Sequence, residues 1–510
     1  MNLNLNMDSI HLYNQIMDKS LSLNSSKRNT DLKEKYEQYY TPVTIANYMS
    51  KFFKESSKSS ISMLDPGAGL GNLTVAFVLT VLKWKKRPKE IKVTLYEIDS
   101  NVINQLISVM KTLKSICLKQ NVNFTWNIFI ADFIKAGSNL TKLVSFDRFD
   151  YIIMNPPYKK LNVDSNENKY LIDAGIDVSN FYTAFVGIAQ RLLINNGELV
   201  AITPRSFCNG VYFTKFREDF KQMMIFSNIH LFDSRTAPFS EDEVLQETII
   251  YHCIKAKWSN SRKVNIIHST DDSFQDKTVQ RIKLNELIYP TDKKYIIRII
   301  KSADDKAAST RIESLPCTLD DLQIEVSTGP VVDFRETEGV LSQVYIENSV
   351  PYLTCNHIRN GSITWPSQNA KYNYILQTNG NTRRLKPNGN YLLVRRMSSK
   401  EEKRRIACGV INQNMFSSHY LGFDNKTNYI HQSGSGINLN LAKGLCLYLS
   451  SSAVDLYFRI FSGHTQVNVS DLKSIRYPTR DQLEAIGTLF VGALPDQDEI
   501  DQIVDQIIFT

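Results

Sequence analysis

Up to about residue 256, short apolar runs rich in β-branched residues alternate with longer stretches in which apolar positions recur every three or four residues. That alternation predicts an α/β domain with a mostly parallel sheet. The predicted strands are Ser62–Asp65, Val93–Glu97, Thr125–Ile130, Asp150–Met154, Leu199–Thr203 and Asn228–Phe232. Between them, Leu73–Trp84, Val102–Leu118 and Phe181–Ile194 carry the helical spacing of faces packed on a sheet. Crossovers between parallel strands are right-handed, which leaves few topologies.

Lys255 to Arg281 is polar, with Ser, Asn and Asp clusters, and reads as the exit from this domain. From about Ile312, short β-rich runs alternate with turns at Thr328-Gly329-Pro330, Asn360-Gly361, Asn379-Gly380 and Pro387-Asn388-Gly389, predicting a second domain of mixed, irregular β character. The stretch from Asp481 onward reads as helical and acidic. A chain of 510 residues exceeds the roughly 250 to 300 at which a single core stops growing, so two or three domains are expected. The expected division is an N-terminal extension at 1–30, a first domain at 31–260, a linker at 261–311, a second domain at 312–480 and a helical segment at 481–510.

Composition narrows the class. Hydrophobic residues at 42% and charged residues at 22% are those of a globular protein and exclude a disordered or fibrous chain. No run of about 18 apolar residues exists, and Met1–Ser20 lacks the basic cluster and apolar core of a signal peptide, so no membrane association and a cytoplasmic location are expected. The seven cysteines are scattered without a close pair, predicting neither a disulfide framework nor a metal site. A net charge of +8 suits a polyanionic partner.

Candidate chemistry sits at the ends of the predicted strands. Asp65-Pro66-Gly67-Ala68-Gly69-Leu70-Gly71 follows the first strand and precedes a helix, so its glycines let backbone approach a ligand. An acidic residue opens this loop and no Walker lysine follows, which suits a cationic ligand better than pyrophosphate. Glu97, in Leu95-Tyr96-Glu97-Ile98-Asp99 at the second strand's end, occupies the place of a ribose clamp. Asp132-Phe133 at the third offers an acceptor for an exocyclic amine and an aromatic face for a purine. Taken singly, residues such as Glu97 and Asp132 are more often helix N-caps or solvated carboxylates. Together the three strand ends describe a pocket for an adenosine bearing a positive charge, which S-adenosylmethionine matches.

The fourth strand runs directly into Asn155-Pro156-Pro157-Tyr158. The prolines fix φ and remove two N–H donors, leaving the Asn155 side-chain oxygen and the Pro156 carbonyl as acceptors in rigid geometry. An exocyclic aromatic amine is a poor nucleophile because its lone pair is delocalised into the ring. Two acceptors holding its hydrogens out of the ring plane free that lone pair for attack. Tyr158 is placed to stack on the base.

The order Glu37-Gln38-Tyr39-Tyr40-Thr41-Pro42, Asp65-Pro66-Gly67-Ala68-Gly69, Glu97, Asp132-Phe133 and Asn155-Pro156-Pro157-Tyr158 resembles the gamma class of DNA adenine-N6 methyltransferases of type II restriction systems. The resemblance implies a Rossmann-like class I methyltransferase domain at 31–260 and S-adenosylmethionine as cofactor. It further implies that Tyr40, Thr41 and Pro42 cover the methionine moiety, with Gly67, Ala68, Gly69 and Ile98 in the same pocket. It extends to Gly197-Glu198-Leu199-Val200-Ala201-Ile202-Thr203-Pro204 and to Phe239, the position whose ring stacks on the other face of a flipped base; Phe232 competes for that role. Ser327-Thr328-Gly329-Pro330-Val331-Val332-Asp333-Phe334-Arg335 and Ser462-Gly463-His464-Thr465-Gln466-Val467-Asn468 are similar to parts of the target-recognition domain of such enzymes, including the PstI modification methylase group. This places an α+β DNA target-recognition domain at 312–480.

Arg383, Arg384, Lys386, Arg395, Arg396, Lys400, Lys403, Arg404 and Arg405 face only Glu401 and Glu402 between positions 383 and 405. So dense a set suits duplex DNA, though internal ion pairs on a solvated surface are the plainer reading of any one of them. Lys159 and Lys160 would meet the backbone beside a flipped nucleotide, and Leu161 to Ser179 reads as a mobile loop with few apolar anchors. The function expected is sequence-specific transfer of a methyl group to N6 of a flipped adenine in double-stranded DNA. A cognate restriction endonuclease without stable complex, and a monomer or weak dimer, complete the picture. An RNA adenine methyltransferase, a glutamine methyltransferase and a DNA-binding subunit with a degenerate fold are the alternatives.

Overall fold

A computed structural model describes residues 41–233, 247–399, 401–462 and 465–510. The chain divides into two compact units, Met1–Lys301 and Ser302–Thr510.

The first unit is built on one nine-stranded sheet. Its strands are β1 (Ser60–Asp65), β2 (Glu90–Glu97), β3 (Asn123–Ile130), β4 (Phe149–Met154), β5 (Leu193–Pro204), β6 (Met224–Phe232), β7 (Thr248–Lys255), β8 (Lys263–Ser269) and β9 (Thr278–Lys283). The spatial order is β3-β2-β1-β4-β5-β7-β6-β8-β9. β3, β2, β1, β4 and β5 run parallel, β7 is antiparallel to both β5 and β6, and β8 runs parallel to β6. The helices of eight or more residues are α1 (Val43–Ser50), α2 (Asn72–Val81), α3 (Ile103–Lys119), α4 (Phe133–Thr141), α5 (Asn166–Asp173), α6 (Phe181–Leu192) and α7 (Thr214–Met223). α2 is buried almost all round, with Val75, Ala76, Phe77, Val78 and Val81 fully enclosed, as a helix covering a sheet centre must be.

The six predicted strands and three predicted helices of this unit are present. Lys255 to Arg281, whose polarity suggested the exit from the domain and the start of a linker, instead supplies β8 and β9. Their Val264, Ile266, Ile267 and Ile282 are buried while Lys263, Arg281 and Lys283 are exposed, so the polar residues of an edge hairpin mask its apolar ones. Leu161 to Ser179 is likewise anchored. Leu161 N–H donates to the Ser179 carbonyl and Phe181 N–H to that of Lys159, α5 is capped by Ser165, and Leu171 and Ile176 are buried. Two buried apolar residues in a polar segment suffice to seat it.

The second unit carries a six-stranded sheet centred on Tyr391–Arg395 and a five-stranded sheet centred on Ser349–Leu353. Each is short-stranded and mixed, which is the irregular β character predicted. Helices Leu439–Ser450 and Arg480–Leu489 pack backbone to backbone, because a Cβ on Gly444 would meet the Leu483 carbonyl and one on Gly487 that of Asn440. Among the described residues no helix is long and apolar enough to cross a membrane, and no cluster of His, Cys, Asp and Glu could hold a metal.

Candidate functional site: the carboxyl ends of β1, β2, β3 and β4

Between β1 and β4 the chain changes the direction in which it adds strands, and in open α/β sheets ligands bind in the crevice at such a point. The glycine loop leaves β1 here. Gly69 and Gly71 have φ of 52° and 87°, values open to glycine at little cost. Gly71 caps α2, and a Cβ there would come within 2.9 Å of Leu106. Its demand is packing, whereas Gly67 and Ala68 border the crevice.

Three carboxylates line these strand ends, each held by a different device. Asp65 is fully buried; its Oδ2 accepts from the Thr74 hydroxyl at 2.8 Å, and its Oδ1 has no hydrogen-bond partner. Burial pushes its carboxyl up to about 7, with the Thr74 hydroxyl pulling the other way. Glu97 accepts the Gly69 N–H and the Asp99 N–H, both at 2.7 Å, so it clamps the glycine loop to β2. Burial raises its pKa as well. Each of its oxygens retains a lone pair for a ligand hydroxyl. Asp132 caps α4 by accepting from Ile134 N–H at 2.7 Å, the plainer of its two expected roles, and its pKa too is raised by burial. Phe133 is 2% exposed and packs against Tyr96 and Phe185. It offers no open aromatic face in this structure, because the core needs its ring; Ile98, 46% exposed, is the accessible apolar surface beside Glu97.

The fourth strand brings the tetrapeptide into contact with the segment before α1. Asn155 Nδ2 donates to Thr41 Oγ1 at 3.1 Å, and the Tyr158 hydroxyl donates to Asn155 Oδ1 at 3.2 Å. Thr41 is in turn fastened to the glycine-loop side, since Asn72 Nδ2 donates to its carbonyl at 2.8 Å. Pro42, with φ of −55°, is the N-cap position of α1. Pro156 and Tyr158 are buried, Asn155 and Pro157 half-buried, and Lys159 and Lys160 exposed. Sequence reasoning missed Asn72 and Thr74, although their places in the first turn after a glycine loop were the available signal. Asn72 Oδ1 is also buried without a partner.

Two unsatisfied buried oxygens and a carboxylate with spare lone pairs make an acceptor-rich cradle. It fits a ligand bringing hydroxyl hydrogens and positive charge, and repels a pyrophosphate.

The basic set at 383–405 is dispersed by its partners. Arg384 pairs with Glu336 and Arg395 with Glu402. Arg396 donates to the Asn425 carbonyl at 3.2 Å and to Gln466 Oε1 at 3.4 Å. Arg405 is 1% exposed, beneath Ser398 and over the Phe458 ring, so it is a core residue of the second unit and not part of a basic face. Arg383 and Lys403 are exposed. Tyr40, Phe239, Lys400 and His464 lie outside the described residues. Phe232, the competitor of Phe239, is 3% exposed and packs on His230 and Phe274.

A doubly wound sheet with the reversed strands β7 and β9 beyond β5, and an acceptor-rich glycine loop beside an Asn-Pro-Pro-Tyr turn, is a class I methyltransferase core, with S-adenosylmethionine as its cofactor. The chain belongs to the Eco57I restriction-modification methylase family, whose sequence profile matches residues 15–239. It is 38% identical over 495 residues to the type II methyltransferase M.PstI of Providencia stuartii, covering 97% of each chain. It is also 38% identical over 506 residues to M.BsuBI of Bacillus subtilis, covering 97% of this chain and 98% of that one. To M.AccI of Acinetobacter calcoaceticus it is 24% identical over 51% of this chain and 44% of the other.

Proposed function

We propose that this protein is the modification enzyme of a type II restriction system, and that it methylates N6 of adenine at a specific sequence in duplex DNA. The observation that carries the reading is the Asn155 amide at the end of β4, gripped by Thr41 on one side and Tyr158 on the other, next to a rigid Pro-Pro carbonyl. S-adenosylmethionine supplies an electrophilic methyl group on a sulfonium. The residues that would hold it are Asp65, Gly67, Ala68, Gly69, Glu97, Ile98 and Asp132 around the crevice, with Thr41 and Pro42 above it.

The chain's own part is positioning. Asn155 Oδ1 and the Pro156 carbonyl accept the two hydrogens of the target amine and localise its lone pair. Tyr158 stacks on the extruded base, returning part of the few kcal/mol that unstacking costs. To do so its ring must rotate away from the Asn155 amide, and the bond it gives up is replaced by one from the amine. Lys159, Lys160, Arg383 and Arg396 are the proposed phosphate-binding residues. Arg384 and Arg395 can join them only by exchanging a carboxylate partner for a phosphate.

The deciding experiment is to express the protein in a host free of DNA methylation and sequence the DNA for modified bases. N6-methyladenine at one recurring sequence is expected. Modified cytosine, or modified RNA with unmodified DNA, would overturn the proposal.

A further inference from the structure

Away from the methyl-transfer crevice, β6, β8 and β9 carry a polar row where a sheet face is normally apolar. Asn228 pairs in register with His252 on β7 and with Asn265 on β8, which pairs in turn with Arg281 on β9. The row is hydrogen-bonded from Asn265 inward. Asn265 Nδ2 donates to Asn228 Oδ1 at 2.9 Å, Asn228 Nδ2 lies 3.1 Å from His252 Nδ1, and His252 Nε2 lies 2.9 Å from Glu198 Oε2. With Nδ1 accepting from Asn228, Nε2–H donates to Glu198. Glu198 is buried and also accepts the Lys54 N–H, so the one carboxylate of the row is spent inward.

The outer end of this row opens into a cleft of about 560 Å³. Ser227, Asn228 and Asn265 form its floor, at a bulge in β6, and Lys54, Arg262, Lys263 and Arg281 surround it. All four cations are exposed, none has an anionic partner among the described residues, and no acidic residue lines the cleft. Four like charges gathered around hydroxyl and amide groups, with no carboxylate lining the cleft, are mutually repulsive until an anion arrives. Guanidinium and ammonium groups beside amide and hydroxyl donors are the chemistry of a phosphate site.

We infer that this cleft binds phosphate oxyanions, as a second anionic site separate from the crevice at the ends of β1, β2, β3 and β4. Its ligand is either a phosphodiester of a duplex or a free di- or polyphosphate, and the two share the recognising groups. The inference stands on this cleft alone and does not depend on which base is methylated.

The test uses the full chain and the double variant Arg262→Glu with Arg281→Glu, both exposed positions outside the methyl-transfer site. Binding of inorganic pyrophosphate is measured by calorimetry, and duplex affinity as a function of salt. Cofactor affinity, expected unchanged, reports that the variant is folded. If the ligand is a free oxyanion, pyrophosphate binds saturably and the variant weakens it at least about tenfold while the salt slope for DNA stays the same. If the ligand is a duplex backbone, the slope becomes shallower by about 0.9 for each phosphate the variant no longer neutralises. Either result supports the site. An unchanged slope, together with pyrophosphate binding that is absent in the natural chain or equal in the variant, overturns it.

Discussion

Replacing Thr41 by Val tests the tie between two distant motifs. Valine keeps the branched shape in a position that is 6% exposed, and leaves the main-chain bond from Asn72 to residue 41 in place. What it removes is the hydroxyl that accepts from Asn155 Nδ2 at 3.1 Å. One such partly buried bond is worth about 0.5 to 1.5 kcal/mol net. If that energy holds the Asn155 amide with Oδ1 toward the target amine, its loss appears in the chemical step, as a fall in kcat of roughly two- to tenfold. Cofactor affinity should then stay within about twofold, since the perturbation is transmitted through Asn155. Single-turnover methylation of a duplex oligonucleotide gives kcat, and calorimetry with S-adenosylmethionine gives Kd. Thr41→Ser, which restores a hydroxyl, should recover most of the rate. A raised cofactor Kd with unaltered kcat would refute the reasoning, placing the Thr41 hydroxyl on the cofactor instead.

Asn155→Ala should lower methyl transfer by at least about a hundredfold with cofactor binding retained, as for loss of a preorganised polar group at a reacting centre; simultaneous loss of both marks a structural residue. Asp65 gives a pH effect. Its folded pKa of about 7 lies above its ordinary 3.8, so the protonated form is the one folding favours, and the stability it contributes is complete below about 3.8 and lost as pH rises through about 7. Without ligand, the Tm of the natural chain should therefore fall relative to Asp65→Asn across that window, and a constant difference in scanning calorimetry would contradict the assignment. Arg383→Ala should reduce the salt slope of DNA binding by about 0.9 at unchanged Tm. Arg405→Ala, by contrast, empties a buried site and should cost on the order of 2 kcal/mol of stability, visible in urea unfolding; the opposite pairing of effects would mean the roles are reversed.

The strand ends that build the crevice could be read in advance because each is local: a run of apolar residues, then a chemical group within two or three positions. Two kinds of feature escaped. β8 and β9 form an outer hairpin with one wet face, so Lys263, Asn265 and Arg281 gave their sequence the polarity of a linker while Val264, Ile266 and Ile282 stayed buried. The basic set at 383–405 misled for a related reason. Charge counted in a window cannot see a partner outside it, and Arg384 finds Glu336 across 48 residues. Arg405 enters the core beside Ser462 and Phe458, a placement that no local pattern announces.

The same limit hid the organisation of the site itself. Thr41 and Asn155 stand 114 residues apart, and each motif alone suggests a separate task, one near the cofactor and one on the target base. Their shared hydrogen bond makes the tasks conditional on each other. An amide that accepts a target hydrogen through Oδ1 must point its Nδ2 elsewhere, and losing the acceptor of this partly buried N–H costs about the same 0.5 to 1.5 kcal/mol, one net hydrogen bond. Thr41 provides that acceptor while its carbonyl is held by Asn72, beside the glycine loop. On the proposed mechanism, the orientation that would localise the amine lone pair is therefore sustained from the glycine-loop side of the crevice, so a displacement of the segment before α1 would disturb the geometry at Asn155 without touching the base.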